Sequence, residues 1–100
     1  MSLIVKIHRK NQKTIIAVCD SSLLGKKIED NANVLDLSCE FYNGEECDER
    51  IIGDLIRNAD GVNLVGINAI KLGIQEGVIE KEQVKKVKDI PYAQAILIQE

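Results

Sequence analysis

Aromatic residues are nearly absent from this 100-residue chain: Phe41, Tyr42 and Tyr92 are the whole set, and there is no tryptophan. The core must then be aliphatic, and a surface of serial stacking rings, as many single-strand binders use, is not available. Histidine occurs once, as His8, and proline once, as Pro91. A lone histidine gives a zinc centre too few partners. The three cysteines, Cys19, Cys39 and Cys47, are odd in number and contain no CxxC pair. They make no disulfide framework and read as reduced thiols. Asp20 beside Cys19 raises the thiol pKa, which argues against a reactive nucleophile there. No apolar run approaches the roughly 20 residues of a membrane helix, and no secretory leader is visible at the start. The expectation is one cytoplasmic domain over residues 1–100.

What is present is aliphatic and charged. Apolar residues make up 45% of the chain and the net charge is −3, which fits a soluble domain able to bury a core without disulfides or metals. The charge is unevenly spread. Residues 1–27 carry Lys6, Arg9, Lys10, Lys13, Lys26 and Lys27 against Asp20 alone, and residues 28–60 carry ten carboxylates against Arg50 and Arg57. A basic edge and an acidic edge on one small domain point to a partner.

Asp60 to Gly77 organises the rest. Asp60-Gly61 is a turn signal, Val62 to Val65 a short apolar strand, and a helix pattern follows Gly66. Asn68, Lys71 and Gln75 fall on one narrow helical stripe, with Ile67, Ala69, Ile70, Leu72 and Ile74 around the remainder. Such a helix must be enclosed on more than one side, and Gly77 is placed as its stop. Upstream, Leu3 to Arg9 and Thr14 to Cys19 read as two strands of an antiparallel hairpin. The second is apolar on both faces and belongs inside the sheet. Asp20 caps a one-turn helix ending at Gly25, and Asn33 to Ser38 is a third strand. Asn43-Gly44 is a turn pair. Glu45 to Asp48 leads into a second helix with Ile51, Ile52, Leu55, Ile56 and Ala59 on one stripe, Asp48 as N-cap, and an Arg50–Asp54 pair on the wet face. Val84 to Val87 is a short strand, and Ala93 to Ile98 is a buried C-terminal strand. The fold class is α+β: a two-layer sandwich, with a mixed or mainly antiparallel sheet, two helices on one face and a one-turn helix.

Four pieces, CDSSLLGK (Cys19 to Lys26), EFYNGE (Glu40 to Glu45), NLVGINAI (Asn63 to Ile70) and IPYAQA (Ile90 to Ala95), together resemble an archaeal family known as domain of unknown function 424. The resemblance covers nearly the whole chain. It implies a small α+β domain in an archaeal cytosol, with a suggested association with RNA or translation, and it brings no catalytic residues. Tyr92 stands where the family pattern leads one to expect histidine.

The search for chemistry returns little. Gly61 and Gly66 have the spacing of a phosphate loop, but Ile67-Asn68 follows where Lys-Ser/Thr is needed. Gly66 at a strand-to-helix junction still offers backbone N–H groups to an anion. The acidic run from Glu45 to Glu49 lacks calcium-loop spacing. No nucleophile–base pair, metal set or cofactor motif can be assembled, so no catalytic residue, metal or cofactor is assigned. The leading expectation is a non-catalytic RNA- or ribonucleoprotein-binding module, with Arg9, Lys10, Lys13, Lys26, Lys27, Lys85, Lys86 and Lys88 as phosphate contacts. A weaker polar set is Asp20, Glu40, Tyr42 and Asn63. The alternative is a protein-interaction or homodimerisation module that pairs through the C-terminal strand.

Overall fold

The structure is a computed structural model and describes residues 2–31, 33–38 and 40–97. β1 (Leu3–Lys10) and β2 (Lys13–Asp20) form the expected antiparallel hairpin. Asn11 and Gln12 at its tip have φ of 54° and 66°, the paired left-handed conformation whose twist matches that of the flanking strands. After a 3-10 turn at Ser21–Leu23 come β3 (Lys27–Glu29) and β4 (Val34–Asp36), which pair with each other in a small separate sheet. A second 3-10 turn, Glu40–Tyr42, leads to β5 (Glu45–Cys47) and α1 (Glu49–Arg57). Then follow β6 (Gly61–Val65), α2 (Ile67–Gln75), a 3-10 turn at Lys81–Gln83, β7 (Lys85–Val87) and β8 (Ile90–Ile96).

The main sheet has the order β5-β1-β2-β6-β8-β7. All its pairings are antiparallel except β2 with β6. The fold is therefore α+β with an open mixed sheet. Both helices pack on the face that carries Leu3, Val5, Ile16, Val18, Val62 and Leu64, where alternate residues point to the same side. On the opposite face a smaller core gathers Cys19, Leu23, Leu37 and Val65, with Tyr42 and Tyr92 against it. The small β3–β4 sheet covers only that end.

Several details depart from the sequence reading. Glu45 and Glu46 belong to β5, not to a helix lead-in: the backbone of Leu3 to Val5 offers a ladder, and charged residues are tolerated on an edge strand. The predicted strand at Asn33 to Ser38 is shorter and lies outside the main sheet. In α1, Ile52 and Ile56 are buried, as is Ala59 just beyond its end, but Ile51 is 55% exposed. Asp48 is the N-cap, accepting from the Arg50 N–H at 2.7 Å. Arg50 does not pair with Asp54; Asp54 binds Arg57 instead. Arg57 also reaches Glu76, Nε to Oε1 2.8 Å, which ties α1 to the end of α2.

In α2 the polar stripe is where the spacing puts it, with Lys71 and Gln75 exposed and Asn68 half-buried. Ala69, Ile70, Leu72 and Gly73 are buried. Ile67 is 66% exposed, since it begins the helix beyond the sheet, and Ile74 is half-buried, not deep. Gly77 ends the helix with φ of 76°. β8 is interior to the sheet, but β7 covers only Ile90 to Tyr92. The alternation of β8 also leaves Gln94 and Ile96 exposed. Ile98, the expected end of this strand, lies outside the described residues.

Ile70 and Lys71 give a direct test of this register. Ile70→Ala loses buried methyl groups and leaves a cavity, so denaturant melts should show a loss of about 2–5 kcal/mol. Lys71→Ala should change stability by no more than about 0.5 kcal/mol. Equal losses would mean that the helix face is misassigned.

Candidate functional site

The parallel pair β2–β6 ends at Asp20 and Val65, and Gly66, the next residue, is the N-cap of α2. Asp20 is the buried charged residue of the described structure, 7% exposed. Its carboxylate accepts from the backbone N–H of Ala69 at 2.9 Å and of Asn68 at 3.1 Å, and from the Asn68 side-chain amide at 3.2 Å. These are the orphan donors of the first helical turn, where the positive end of the helix dipole also favours a carboxylate. The anion at this helix end is thus the chain's own. Asp20 makes no side-chain cap on the 3-10 turn that follows it, so the capping role expected from local sequence is transferred to a helix 47 residues away. Gly66 permits the arrangement: its φ is 109° and a Cβ there would run into the Asp20 carboxyl group.

The strand register defines the face of the sheet turned away from the helices. One row across it is Lys6, Ala17, Asn63 and Gln94; the next is His8, Ile15, Gly61 and Ile96. A third, at the hairpin tip, is Lys10 and Lys13. Phe41 folds over this face from the Glu40–Tyr42 turn. It stacks on His8, with ring centroids 4.2 Å apart and planes 12° apart, and its carbonyl accepts from His8 Nε2–H at 2.9 Å. The rest of the face stays open as a cleft of about 500 Å3, with Phe41 and Ile15 on one side, Gly61 and Asn63 at the base, and Gln94 and Ile96 on the other. Asn63 and Gln94 sit directly opposite each other on β6 and β8. Their side-chain amides have no hydrogen-bond partner among the described residues.

The basic residues divide between the two ends of the sheet. Lys10 and Lys13 are at the β1–β2 tip. Lys85 shares a row with Tyr92, Val65 and Cys19, about 20 Å along the strands from Lys13 at the usual rise per residue. Lys86 and Lys88 follow it, and Lys26 and Lys27 lie beside the same end, where Gly25 N–H bonds to the Leu37 carbonyl. Arg9 points to the helix face, next to Ile7, Asp54 and Asn58. Lys6, absent from the sequence-derived set, is on the open face and bonds the Asn43 carbonyl at 3.3 Å.

A family model described as a protein of unknown function (DUF424) matches residues 7–98. The chain belongs to the DUF424 family. It is also similar to a solved structure, the crystal structure of an uncharacterized conserved protein from Methanopyrus kandleri. That likeness has a TM-score of 0.82 at 21% identity and covers 100% of this chain and 96% of the other. At that identity it speaks for the fold alone. A search of curated proteins finds no match.

For this DUF424 chain, the weaker polar set does not gather at one place. Asp20 is committed to α2, Glu40 is exposed on its turn, and Tyr42 packs against Cys19, Leu23, Leu37 and Val65. Asn63 alone lines the cleft. Phe41, Gln94 and Ile96 were not named as site residues from sequence, and Gly61 was noted only as a turn signal and for its spacing from Gly66. The alternation of β8 gives Gln94 its side of the strand, but only the β6–β8 register shows that Asn63 faces it. No helix is long and apolar enough to cross a membrane among the described residues.

Two measurements follow from the Asp20 region. Asp20→Ala strands buried N–H groups, and urea melts should show a loss of about 2 kcal/mol. Asp20→Asn keeps one acceptor and should lose about half as much. Burial, and then the charge of Asp20, push the Cys19 thiol up from 9.0 to about 11. Cys19 should therefore resist iodoacetamide in the native protein at pH 8, while the half-buried Cys47 reacts, as peptide mapping can show. The raised folded value also means that the thiol's contribution to stability is intact below pH 9 and is lost as pH rises from 9 toward 11. Cys39 lies outside the described residues.

Proposed function

We propose that this domain is a non-catalytic binding module for RNA or ribonucleoprotein, and that the open half of its sheet is the contact surface. One observation carries the reading: uncommitted amides, an aromatic wall and two lysines, Lys10 and Lys13, face the same side within three successive strand rows. Lysines supply phosphate attraction, and a ring with free amides beside it suits unpaired bases better than a duplex. The polar groups of the face are amides and lysines, and His8 is held by the Phe41 carbonyl, which favours binding over catalysis. Of the acidic residues, Glu49 and Asp54 lie on α1, behind the sheet, and Glu46 lies at the far, Asp20 end of this face, while Glu40 is exposed on the turn that carries Phe41.

Fluorescence anisotropy with single-stranded and structured RNA at two salt concentrations tests the reading. Affinity should fall with salt, with a log–log slope near −2 for two to three single-strand phosphate contacts. Reversing Lys10 and Lys13 to Glu should flatten that slope, whereas reversing Lys85 and Lys86 should change it little. Absence of binding at low salt rejects the reading.

A second reading, protein interaction or homodimerisation without nucleic acid, is favoured by the strand edges. β5 covers β1 only at Leu3 to Val5, and β7 covers β8 only at Ile90 to Tyr92. The backbone beyond those points has no ladder partner among the described residues and can accept an added strand. Light scattering that gives twice the monomer mass would favour it; a monomer mass at high concentration would remove the homodimer.

A further inference from the structure

We infer that the cleft between Phe41 and Gln94 takes one unstacked adenine base, read on its edge by the side-chain amides of Asn63 and Gln94. The inference rests on the RNA reading above and names what the site recognises. At about 500 Å3 the cleft falls within the usual range of small-ligand sites. It is too small for a helix or a strand pair and too open to be a packing defect.

The lining sorts by chemistry in the way a flat heteroaromatic ring requires. Phe41, Ile15 and Ile96 offer apolar surface for the ring faces, and Ile96, the last residue of β8, is 83% exposed and so open to contact. Gly61 keeps the base of the cleft low. A Cβ there would lie 2.7 Å from Ile15 Cδ1 and 3.3 Å from the Ala95 carbonyl, so any larger residue would push into the space a ring needs. Phe41 is held by its stack on His8 and by the edge contact with Tyr42 at 5.1 Å and 75°. The wall is therefore set before a ligand arrives, which lowers the ordering cost of binding.

The amides decide the class of base. Each carries an N–H2 donor next to a C=O acceptor, the pattern that Asn and Gln match to the donor N6–H2 and acceptor N7 of adenine. Guanine presents two adjacent acceptors, O6 and N7, which suit Arg or Lys better. No cation lies within the lining; Lys6, in the row of Asn63 and Gln94, is bonded to the Asn43 carbonyl, and Lys10 and Lys13 at the hairpin tip are placed for the phosphates. Among bases with a mixed donor–acceptor edge, a purine covers more of the apolar wall than a pyrimidine and stacks more strongly.

The test uses four fluorescently labelled single strands of equal length: oligo(A), oligo(U), oligo(C) and an abasic backbone. The wild-type protein should bind oligo(A) about tenfold or more tighter than the abasic strand, and tighter than oligo(U) and oligo(C). Gln94→Ala, at an exposed position, should erase that preference and bring oligo(A) down to the affinity of the abasic strand. Phe41→Leu should weaken all three base-bearing strands without altering the salt slope. A second measurement guards against a folding defect. In the wild type, the side-chain amide resonances of Asn63 and Gln94 should shift with adenosine monophosphate and stay fixed with ribose 5-phosphate. Equal affinity for oligo(A) and the abasic strand, or a Gln94→Ala variant that keeps the preference, overturns the base site and leaves the RNA reading standing. Failure of every strand to bind at low salt overturns both.

Discussion

The Asp20 carboxylate is the interaction on which the arrangement depends. It terminates β2, satisfies the first N–H groups of α2, and thereby fixes the one parallel pairing of the sheet to the helix that covers it. A buried carboxylate without such partners would cost several kcal/mol. With them, β2, Gly66 and α2 become a single unit. The helix cannot rotate without stranding either its own donors or the anion. That constraint places Ile70 and Leu72 in the same core as Val18 and Leu64, and turns Lys71 outward.

The same constraint leaves one face of the sheet half-used. Two helices of nine residues each cover the first face. On the second, the short β3–β4 sheet covers only the end near Cys19 and Tyr92. β5 and β7, three residues each, complete the edges only at that end. The sheet is thus finished at the Asp20 end and open at the hairpin end, where the cleft, the free amides and Lys10 and Lys13 lie. A domain with so few aromatic residues has nevertheless placed Phe41 over that opening, its ring held by His8 and its own carbonyl bonded to the same side chain. Stability and the candidate site are separated along the strand axis.

The sequence showed Asn63 as a polar break in an apolar strand, whereas the last strand read simply as buried and did not mark Gln94. It also showed the basic groups as separate runs. It did not show Glu45 to Cys47 as a strand, because Glu-Glu-Cys has little strand preference and its pairing is with residues 40 to 44 positions away. It misplaced the Asp20 cap for the same reason: local pattern assigns a capping side chain to the next turn, whereas the better donors are those of α2.

Periodicity, turn chemistry and the position of glycine were enough to determine two helices, the central strand, the β1–β2 hairpin and the α+β class, because each depends on interactions within a few residues. Family membership was also legible, in stretches spread over nearly the whole chain. Which residues meet across strands was decided only by the tertiary structure. Register fixes whether Asn63 faces Gln94, whether Lys10 lies opposite Lys13, and how far the basic runs lie apart. Register is set by packing of the whole sheet against its helices, and the energy that selects it comes from contacts distant in the chain.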